Sequence, residues 1–312
     1  METTKYDVII VGGGPAGITA GIYATRSGLK TLIIENMVVG GQSALTYEID
    51  NYPGFAKISG MELGSKFSEH AEALGVEFVF DNIKTMSLEG EEKIFETVYS
   101  GSFSAPSVIL CVGARPRTLG LDNEDKFIGR GISFCATCDG AFYKDKTVAV
   151  IGGGNSALEE ALFLSKNCAK VYLLHMLDNF QANDSMVVKM KSEPKIEYYL
   201  TTRVISVNGD TNLKTIHVQD TSSDTERDIN VDGMFIAIGR VPATDMFKGV
   251  IEMDQYGYIL ADEDMKTNID GVFVAGDARQ KKLRQIITAC SDGAIAAVNA
   301  NTYLIEKNLK AK

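Results

Sequence analysis

Two cysteines three positions apart, Cys135 and Cys138, stand in the segment SFCATCDG, residues 133–140. Such a pair can hold a metal ion, brace a fold as a structural disulfide, or carry electrons as a redox dithiol. A structural zinc site usually takes four protein ligands, and the sequence offers no second CxxC and no closely spaced histidine pair to complete one. We therefore expect no metal at this pair.

A redox dithiol suits the spacing better, because two thiols at the start of a helix can close a small disulfide and the helix dipole favours the thiolate. Asp139 directly follows Cys138 and is a candidate for the group that passes the proton in thiol–disulfide exchange. The alternative for Asp139 is an ordinary charge at a helix start. Three further cysteines stand alone in apolar contexts, as is typical of buried, unreactive thiols: Cys111, Cys168 and Cys290.

A glycine-rich turn near the start of the chain predicts a dinucleotide-binding element. Gly12, Gly14 and Gly17 form the pattern GxGxxG directly after an apolar run. The glycines allow a tight turn and a close approach of the backbone to a pyrophosphate, and the following helix presents its N–H groups to the phosphates. Glu35 ends the next apolar run, at roughly the expected 20-residue spacing, and can accept hydrogen bonds from a ribose hydroxyl.

The same unit occurs a second time, since residues 7–35 align without gaps on residues 147–175. The second copy keeps the glycine turn but has His175 in place of the terminal acid. An NAD site favours an acid at this strand end and an NADP site favours arginines, yet no arginine occurs from Gly131 to Thr202. His175 is either a weak phosphate contact or a structural residue at a strand end.

These units indicate an α/β fold with two Rossmann-like dinucleotide-binding domains, the second inserted into the first. We expect residues 1–115 and 245–312 to form the first domain and residues 116–244 to form the second, which carries the cysteine pair. Asp277 follows an apolar run late in the chain. It is a candidate partner for a hydroxylated cofactor chain, or else a turn-capping residue.

Composition restricts the possible partners and the compartment. The 312-residue chain has 45% hydrophobic residues and a formal net charge of −10, which argues against nucleic acid or an anionic membrane as a partner. No stretch approaches the ~20 apolar residues of a membrane helix, and the N-terminus lacks the features of a signal peptide. With five cysteines, an odd number, a secreted disulfide framework is not expected, so we predict a cytoplasmic protein.

Motifs along nearly the whole chain resemble those of the low-molecular-weight flavin thioredoxin reductases. Together they make the resemblance specific. They are GGGPAG (12–17), GGQ (40–42), NYPGF (51–55), GARPR (113–117), CATCDG (135–140), GGGNSALEEA (152–161), AIGRVP (237–242), AGDAR (275–279) and LRQIITACSDGAIAA (283–297).

The resemblance implies an FAD-binding first domain, a homodimer, and a smaller domain that rotates so that the cysteine pair faces the flavin and thioredoxin in turn. It also implies that Cys138 takes electrons from the flavin, that Cys135 attacks the thioredoxin disulfide, and that Asp139 moves the proton. The implied FAD contacts are Gly12, Gly14, Pro15, Ala16, Gly17, Glu35, Gly41, Gln42, Asn51, Gly113, Asp277, Arg284, Gln285 and Ile286.

One motif departs from the family pattern. Typical members have HRRxxFRA after the second unit, where arginines hold the NADPH 2′-phosphate, but this chain has HMLDNFQA at residues 175–182. Met176, Leu177 and Gln181 replace the arginines. A charge-assisted hydrogen bond contributes ~1.5 to 3 kcal/mol, so losing two removes roughly two to four decades of affinity. Asp178 does not create an NADH site, because the NADPH motif has an aspartate there as well.

The chain in this respect resembles the ferredoxin-dependent flavin thioredoxin reductases, and reduced ferredoxin is the predicted donor. A basic cluster at Arg279, Lys281, Lys282 and Arg284 is a candidate docking surface for an acidic ferredoxin, although ordinary members carry similar charges. Two alternatives stay open: NADPH or NADH bound at an atypical site, and a non-enzymatic flavin-binding redox sensor.

Overall fold

The computed structural model describes residues 3–46 and 49–309, without the side chains of Leu45 and Cys138. Its strands are β1 (Thr3–Lys5), β2 (Val8–Val11), β3 (Thr31–Glu35), β4 (Glu77–Phe80), β5 (Ile83–Ser87), β6 (Lys93–Thr97), β7 (Ser102–Ala105), β8 (Ser107–Leu110), β9 (Ala114–Pro116), β10 (Ile132–Ser133), β11 (Thr147–Ile151), β12 (Lys170–Leu174), β13 (Ile196–Tyr199), β14 (Thr202–Gly209), β15 (Leu213–Asp220), β16 (Glu226–Asn230), β17 (Gly233–Ile236), β18 (Arg240–Pro242) and β19 (Val272–Val274). Its α-helices are α1 (Pro15–Arg26), α2 (Gly60–Ala73), α3 (Glu124–Phe127), α4 (Ala136–Asp139), α5 (Asn155–Ser165), α6 (Asp184–Lys191) and α7 (Ile286–Glu306).

The predicted repeat forms two strand–helix–strand units. In the first, the fully buried β-branched strand β2 leads through the glycine turn into α1, and the chain returns as β3, parallel to β2. Pro15 occupies the first position of α1, where its missing N–H and fixed φ suit a helix start. In the second, β11, α5 and β12 repeat this arrangement, with β11 and β12 parallel. The predicted α/β, Rossmann-like fold class is confirmed.

The chain forms two compact units, of which the first comprises residues 1–115 and 241–312. Its central parallel sheet has the order β19-β8-β2-β3-β4. One face of this sheet packs on α1 and α7 in an apolar cluster rich in alanine. The other face packs on the sheet β1-β7-β6-β5 through Phe95 and Phe103. The two layers fix the carboxyl ends of the parallel strands, where ligands bind in such folds.

The second unit, Pro116–Arg240, repeats this layering on a smaller scale. Its parallel sheet has the order β10-β17-β11-β12-β13. Leu158, Leu164 and Met190, from α5 and α6, cover one face, and the antiparallel sheet β14-β15-β16 covers the other. The unit ends at Arg240, whereas the sequence prediction placed its end at residue 244.

Candidate functional site

The first glycine turn presents an open helix end. A Cβ added at Gly12, where φ is +104°, would lie 2.4 Å from the carbonyl oxygen of Cys111, and one at Gly17 would lie 1.9 Å from the carbonyl oxygen of Gly12. Gly14 is the N-cap of α1, and a Cβ there would meet nothing within 4 Å. The turn is therefore packed tightly on its inner side and leaves space above the N–H groups of α1, as a pyrophosphate site requires.

Glu35 lies at the end of β3 beside this turn and is buried. Its Oε2 accepts the N–H of Gly13 at 2.6 Å, and its Oε1 accepts the N–H groups of Asn36 at 2.9 Å and Met37 at 2.7 Å. A carboxylate has about four lone-pair sites, so capacity for one further donor remains. The sequence placed Glu35 at a strand end next to the turn, and the structure does the same.

Further predicted cofactor contacts lie around the turn. A Cβ at Gly41, the first residue of the 3₁₀ helix Gly41–Leu45 that contains Gln42, would lie 3.2 Å from the Cα of Gly14. Asn51 Nδ2 donates to Gln285 Oε1 at 2.9 Å, which joins two predicted residues far apart in sequence. The remaining ones lie as follows: Pro15 and Ala16 start α1, Gly113 has a φ of +68°, and Ile286 starts α7 and packs on a small apolar cluster.

Asp277 and Arg284 lie in the segment that connects β19 to α7. Asp277 is in the 3₁₀ turn Gly276–Ala278. The Arg284 guanidinium lies 4.0 Å from the ring centre of Tyr258, and its Nε is buried without a hydrogen-bond partner among the described residues. A buried donor with no acceptor is costly unless a ligand supplies one. This unmet donor and the open end of α1 fit a bound dinucleotide cofactor.

Arg279 and Lys281 do not form the basic surface that the sequence suggested. Their side chains are only 17% and 8% exposed, and both contact the buried carboxylate of Asp292 on α7. Of that cluster, Lys282 is exposed and Arg284 is partly buried. The sequence analysis missed Asp292, although an acid among the small apolar residues of the segment ACSDGAIAA was the signal that could have found it.

The cysteine segment begins the short helix α4 in the second unit. Cys135 is disulfide-bonded. Its backbone N–H donates to Ser133 Oγ at 3.1 Å, and its Sγ lies 3.4 Å from Thr137 Oγ1. Because α4 has only four residues, it contributes less dipole stabilisation of a thiolate than the sequence analysis assumed. The side chain of Cys138 lies outside the described part of the structure.

Asp139 borders a cleft of about 270 Å³ within the second unit. Phe142, Tyr143, Lys146 and Arg130 also line it. Phe142 is 73% exposed, and burial together with the charges of Asp139 and Asp232 raises the pKa of Tyr143. The cleft gives Asp139 a concave, partly apolar surrounding that the sequence analysis did not foresee.

His175 occupies in the second unit the place that Glu35 occupies in the first. Its ring packs directly on Gly153, where an added Cβ would lie 2.4 Å from three ring atoms, and it stacks on Phe180 at a centroid distance of 5.8 Å. Burial lowers its pKa, although contacts to Asn179 and Gln181 oppose this effect. Of the two alternatives from the sequence, the packed structural residue matches the contacts.

The segment after His175 is tied to the second glycine turn but carries no arginine. Gln181 N–H donates to Gly153 O at 2.8 Å, and its side-chain amide donates to Asn179. Met176 and Leu177 are 61% and 44% exposed. The positions where typical members of the resembling family have arginines thus present apolar or neutral side chains.

The three remaining cysteines lie apart from the CATCDG segment and carry free thiols. Cys111, Cys168 and Cys290 are free and buried, and burial raises the pKa of each thiol, which confirms the expected unreactive type. Among residues 3–46 and 49–309, no group of acidic, histidine and cysteine side chains is arranged to bind a metal. Within those ranges, no helix combines the length and apolar character of a membrane span.

Comparison with known proteins identifies the family. The family model described as pyridine nucleotide-disulphide oxidoreductase matches residues 6–293. The chain belongs to this family. FAD is its cofactor, as in the thioredoxin reductases of the family.

Three relatives within this family are informative. A thioredoxin reductase from Peptoclostridium acidaminophilum is 41% identical, and the match covers 98% of each chain. The crystal structure of Lactococcus lactis thioredoxin reductase in its FR conformation gives a TM-score of 0.85 at 38% identity, covering 96% of this chain and 99% of that one. A ferredoxin-flavin thioredoxin reductase from Clostridium acetobutylicum gives a TM-score of 0.54 at 29% identity, covering 98% and 100%.

Proposed function

We propose that this chain is an FAD-dependent thioredoxin reductase that reduces the disulfide of thioredoxin through the Cys135/Cys138 dithiol, with reduced ferredoxin as its electron donor. The observation that carries the reductase assignment is the disulfide-bonded Cys135 in CATCDG, within the second dinucleotide-type unit of a pyridine nucleotide-disulphide oxidoreductase. The relative from Peptoclostridium acidaminophilum, which is named a thioredoxin reductase, supports it over nearly the full length.

The residues proposed to hold FAD lie in the first unit. The N–H groups of α1 would hold the pyrophosphate, Glu35 would accept a ribose hydroxyl, and Asp277 would accept from the hydroxylated chain. Arg284 would donate its unmet Nε–H to the cofactor, and the hydrogen-bonded Asn51 and Gln285 would contact it near the start of α7. When bound, FAD supplies a carrier that accepts electrons singly or in pairs and donates a pair.

Cys135 and Cys138 then perform thiol–disulfide exchange. The Cys135 thiolate attacks one sulfur of the thioredoxin disulfide, which forms a mixed disulfide and releases a thiolate on thioredoxin. The Cys138 thiolate attacks the Cys135 sulfur, which forms the Cys135–Cys138 disulfide and releases the second thiolate. Two electrons pass to thioredoxin, and each released thiolate takes up a proton. Asp139, adjacent to Cys138, relays these protons between the dithiol and water.

The cleft beside Asp139 is proposed to receive the protein substrate. It is close in sequence and space to the dithiol segment, and its rim carries the exposed aromatic ring of Phe142. Aromatic residues are frequent anchors of protein interfaces. The lining carries charges of both signs, Arg130 and Lys146 together with Asp139 and Asp232, which can pair with charged groups of a partner.

Ferredoxin as the donor is supported by the segment at residues 175–182. Exposed Met176 and Leu177 offer no charge to a 2′-phosphate, and the Gln181 amide is engaged by Asn179. The structural similarity to a protein named a ferredoxin-flavin thioredoxin reductase also supports ferredoxin as the donor. Electron transfer from ferredoxin to thioredoxin is also energetically favourable. A ferredoxin near −400 mV that reduces a thioredoxin-like disulfide couple near −270 mV releases about 6 kcal/mol for two electrons.

An anaerobic titration of the oxidised, FAD-loaded protein tests the donor. We expect stoichiometric NADPH or NADH to leave the visible flavin absorbance nearly unchanged, while reduced ferredoxin bleaches it and supports thioredoxin reduction. Rapid bleaching by either nucleotide would reject ferredoxin as the required donor and favour a nucleotide-dependent reductase. Absence of thioredoxin reduction with any of the three donors would favour a flavin-binding redox sensor.

Homodimer formation and a cytoplasmic location complete the proposal. A stripe of exposed apolar side chains on α7 supports the dimer: Ile287, Ile295, Val298 and Ile305. Three free, buried cysteines suit a reducing compartment such as the cytoplasm.

A further inference from the structure

Asp292 is a buried carboxylate in the middle of α7. Its side chain is only 7% exposed, on a helix whose other buried residues are mostly alanine and glycine. Taking a carboxylate out of water is unfavourable unless opposite charges and hydrogen bonds compensate for the lost hydration. The partners of Asp292 therefore indicate what the carboxylate holds in place.

Four donor atoms from three residues surround this carboxylate. Oδ2 accepts the backbone N–H of Gly276 at 3.1 Å and Lys281 Nζ at 2.6 Å. The Arg279 guanidinium approaches both oxygens at 3.4 Å. All three partners belong to the segment that follows β19, and two of them are cations. The cluster thus has one more positive than negative formal charge in a largely buried setting.

The backbone donor belongs to the turn that contains Asp277. Gly276 has a φ of +77°, and a Cβ there would lie 3.0 Å from the Cβ of Ala16 in α1. A Cβ at Gly293, next to Asp292, would lie 2.1 Å from the carbonyl oxygen of Ala16. The Gly276–Ala278 turn, the first turn of α1 and the middle of α7 therefore meet at one point, and Asp292 supplies a charged link there.

We propose that Asp292 is a positioning residue for FAD. It fixes the Gly276–Ala278 turn against the start of α1, so that Asp277 and the N–H groups of α1 face the same cofactor, while Lys281 and Arg279 compensate its charge. The charges of Lys281 and Arg279 favour the reduced, more negatively charged flavin, and the charge of Asp292 disfavours it. This inference rests on the FAD site in the proposed function.

Cofactor affinity tests the positioning role. Apoprotein of Asp292→Ala is expected to bind FAD at least tenfold more weakly than wild type, and Asp292→Asn less so, because its amide oxygen still accepts the Gly276 N–H. Asp264→Asn is the matched control, since its carboxylate is 55% exposed and pairs with Lys266. A lower unfolding temperature of the apoprotein with an unchanged FAD dissociation constant would reduce Asp292 to a structural residue and overturn the proposal.

The flavin midpoint potential gives a second readout, measured at saturating FAD. Asp292→Asn makes the cluster more positive and is expected to raise the potential. Lys281→Met makes it less positive and is expected to lower the potential. A general loss of packing would not move the two variants in opposite directions. Shifts of the same sign, or no shift in either variant, would contradict the proposed effect of charge.

Failure of this inference can be distinguished from failure of the site itself. If Glu35→Gln and Arg284→Met leave FAD affinity unchanged, the proposed cofactor site is wrong. If these two variants weaken FAD binding while Asp292→Ala does not, the site stands and only the role of Asp292 is rejected.

Discussion

The two cysteines of CATCDG have different tasks in the proposed reaction, so serine at each position should have a different effect. Cys138→Ser removes the thiol that resolves the mixed disulfide and that is expected to accept electrons from the flavin. We expect it to abolish multiple-turnover reduction of thioredoxin while leaving FAD bound, because the cofactor contacts lie in the first unit. FAD content by absorbance and thioredoxin reduction under anaerobic conditions measure both effects.

Cys168→Ala provides the matched control for this variant, because Cys168 is a free, buried thiol of the same unit. It should keep both FAD and turnover. Cys135→Ser should also stop turnover, and no mixed disulfide with thioredoxin should form at position 135. Persistent thioredoxin reduction by Cys138→Ser would show that the assigned roles are wrong.

The three histidines of the chain allow two local environments to be tested directly. Burial lowers the pKa of His175, whereas hydrogen bonds to Glu226 and Asp228 raise the pKa of His217. An NMR titration of the imidazole signals, assigned with His175→Gln and His217→Asn, should place the two midpoints on opposite sides of about 6.5. A His175 midpoint above that value would contradict its buried, neutral packing against Gly153.

The same shifts predict opposite contributions to stability. The unfolded chain binds the His175 proton more tightly than the folded chain, so this residue lowers the free energy of unfolding as the pH falls below about 6.5. His217 contributes stability that is fully present below about 6.5 and is lost as the pH rises through its folded pKa. As the pH falls through about 6.5, the urea concentration at the unfolding midpoint should therefore fall less in His175→Gln than in wild type. In His217→Asn it should fall more than in wild type.

At the scale of elements, the repeated βαβ units could be predicted from the sequence because several independent local signals indicated the same structure. Apolar β-branched runs, glycine spacing and helix starts all pointed to the same pattern, and β2–α1–β3 and β11–α5–β12 form where expected. The charges after β19 were not predictable in the same way. Lysine and arginine usually lie at the surface, and only the long-range approach of Asp292 explains the burial of Lys281 and Arg279.

The segment after β12 offers a gain-of-function prediction. Met176→Arg combined with Leu177→Arg restores two cations at exposed positions next to the second glycine turn. If each forms a charge-assisted hydrogen bond to the 2′-phosphate, NADPH affinity should rise by roughly two to four decades. Isothermal titration calorimetry of the oxidised protein measures the NADPH dissociation constant. Loss of the visible flavin absorbance on adding NADPH measures flavin reduction.

A control for added charge is available on the nearby helix α6. Ser185→Arg combined with Val188→Arg introduces two cations at exposed positions of the same unit. This variant should gain less NADPH affinity, because its charges lie outside the segment at residues 175–182. Equal gains in the two double variants would mean that general electrostatic attraction, rather than the segment at residues 175–182, limits nucleotide binding.

At the scale of the whole molecule, each unit combines a parallel sheet with helices on one face and a second sheet on the other, which is mainly antiparallel in the first unit and fully antiparallel in the second. The sequence analysis predicted the parallel parts but not the antiparallel sheets β5–β7 and β14–β16. Their strands carry no ligand-binding motif, and their position depends on packing against the parallel sheet. One long helix also exposes an apolar stripe: Ile287, Ile295, Val298 and Ile305 on α7 are 36–55% exposed and lie within roughly 80° of one another around the helix.

This stripe should be covered in the proposed homodimer. Val298→Glu combined with Ile305→Glu would place carboxylates of both copies in the interface, where burying each uncompensated charge costs several kcal/mol. The dimer dissociation constant, measured by sedimentation equilibrium with FAD bound, should rise by about two decades or more. Val98→Glu combined with Val250→Glu, at positions 46% and 42% exposed in the same unit, should leave the dimer intact. A monomeric wild type, or equal dissociation of both double variants, would exclude α7 as the dimer interface.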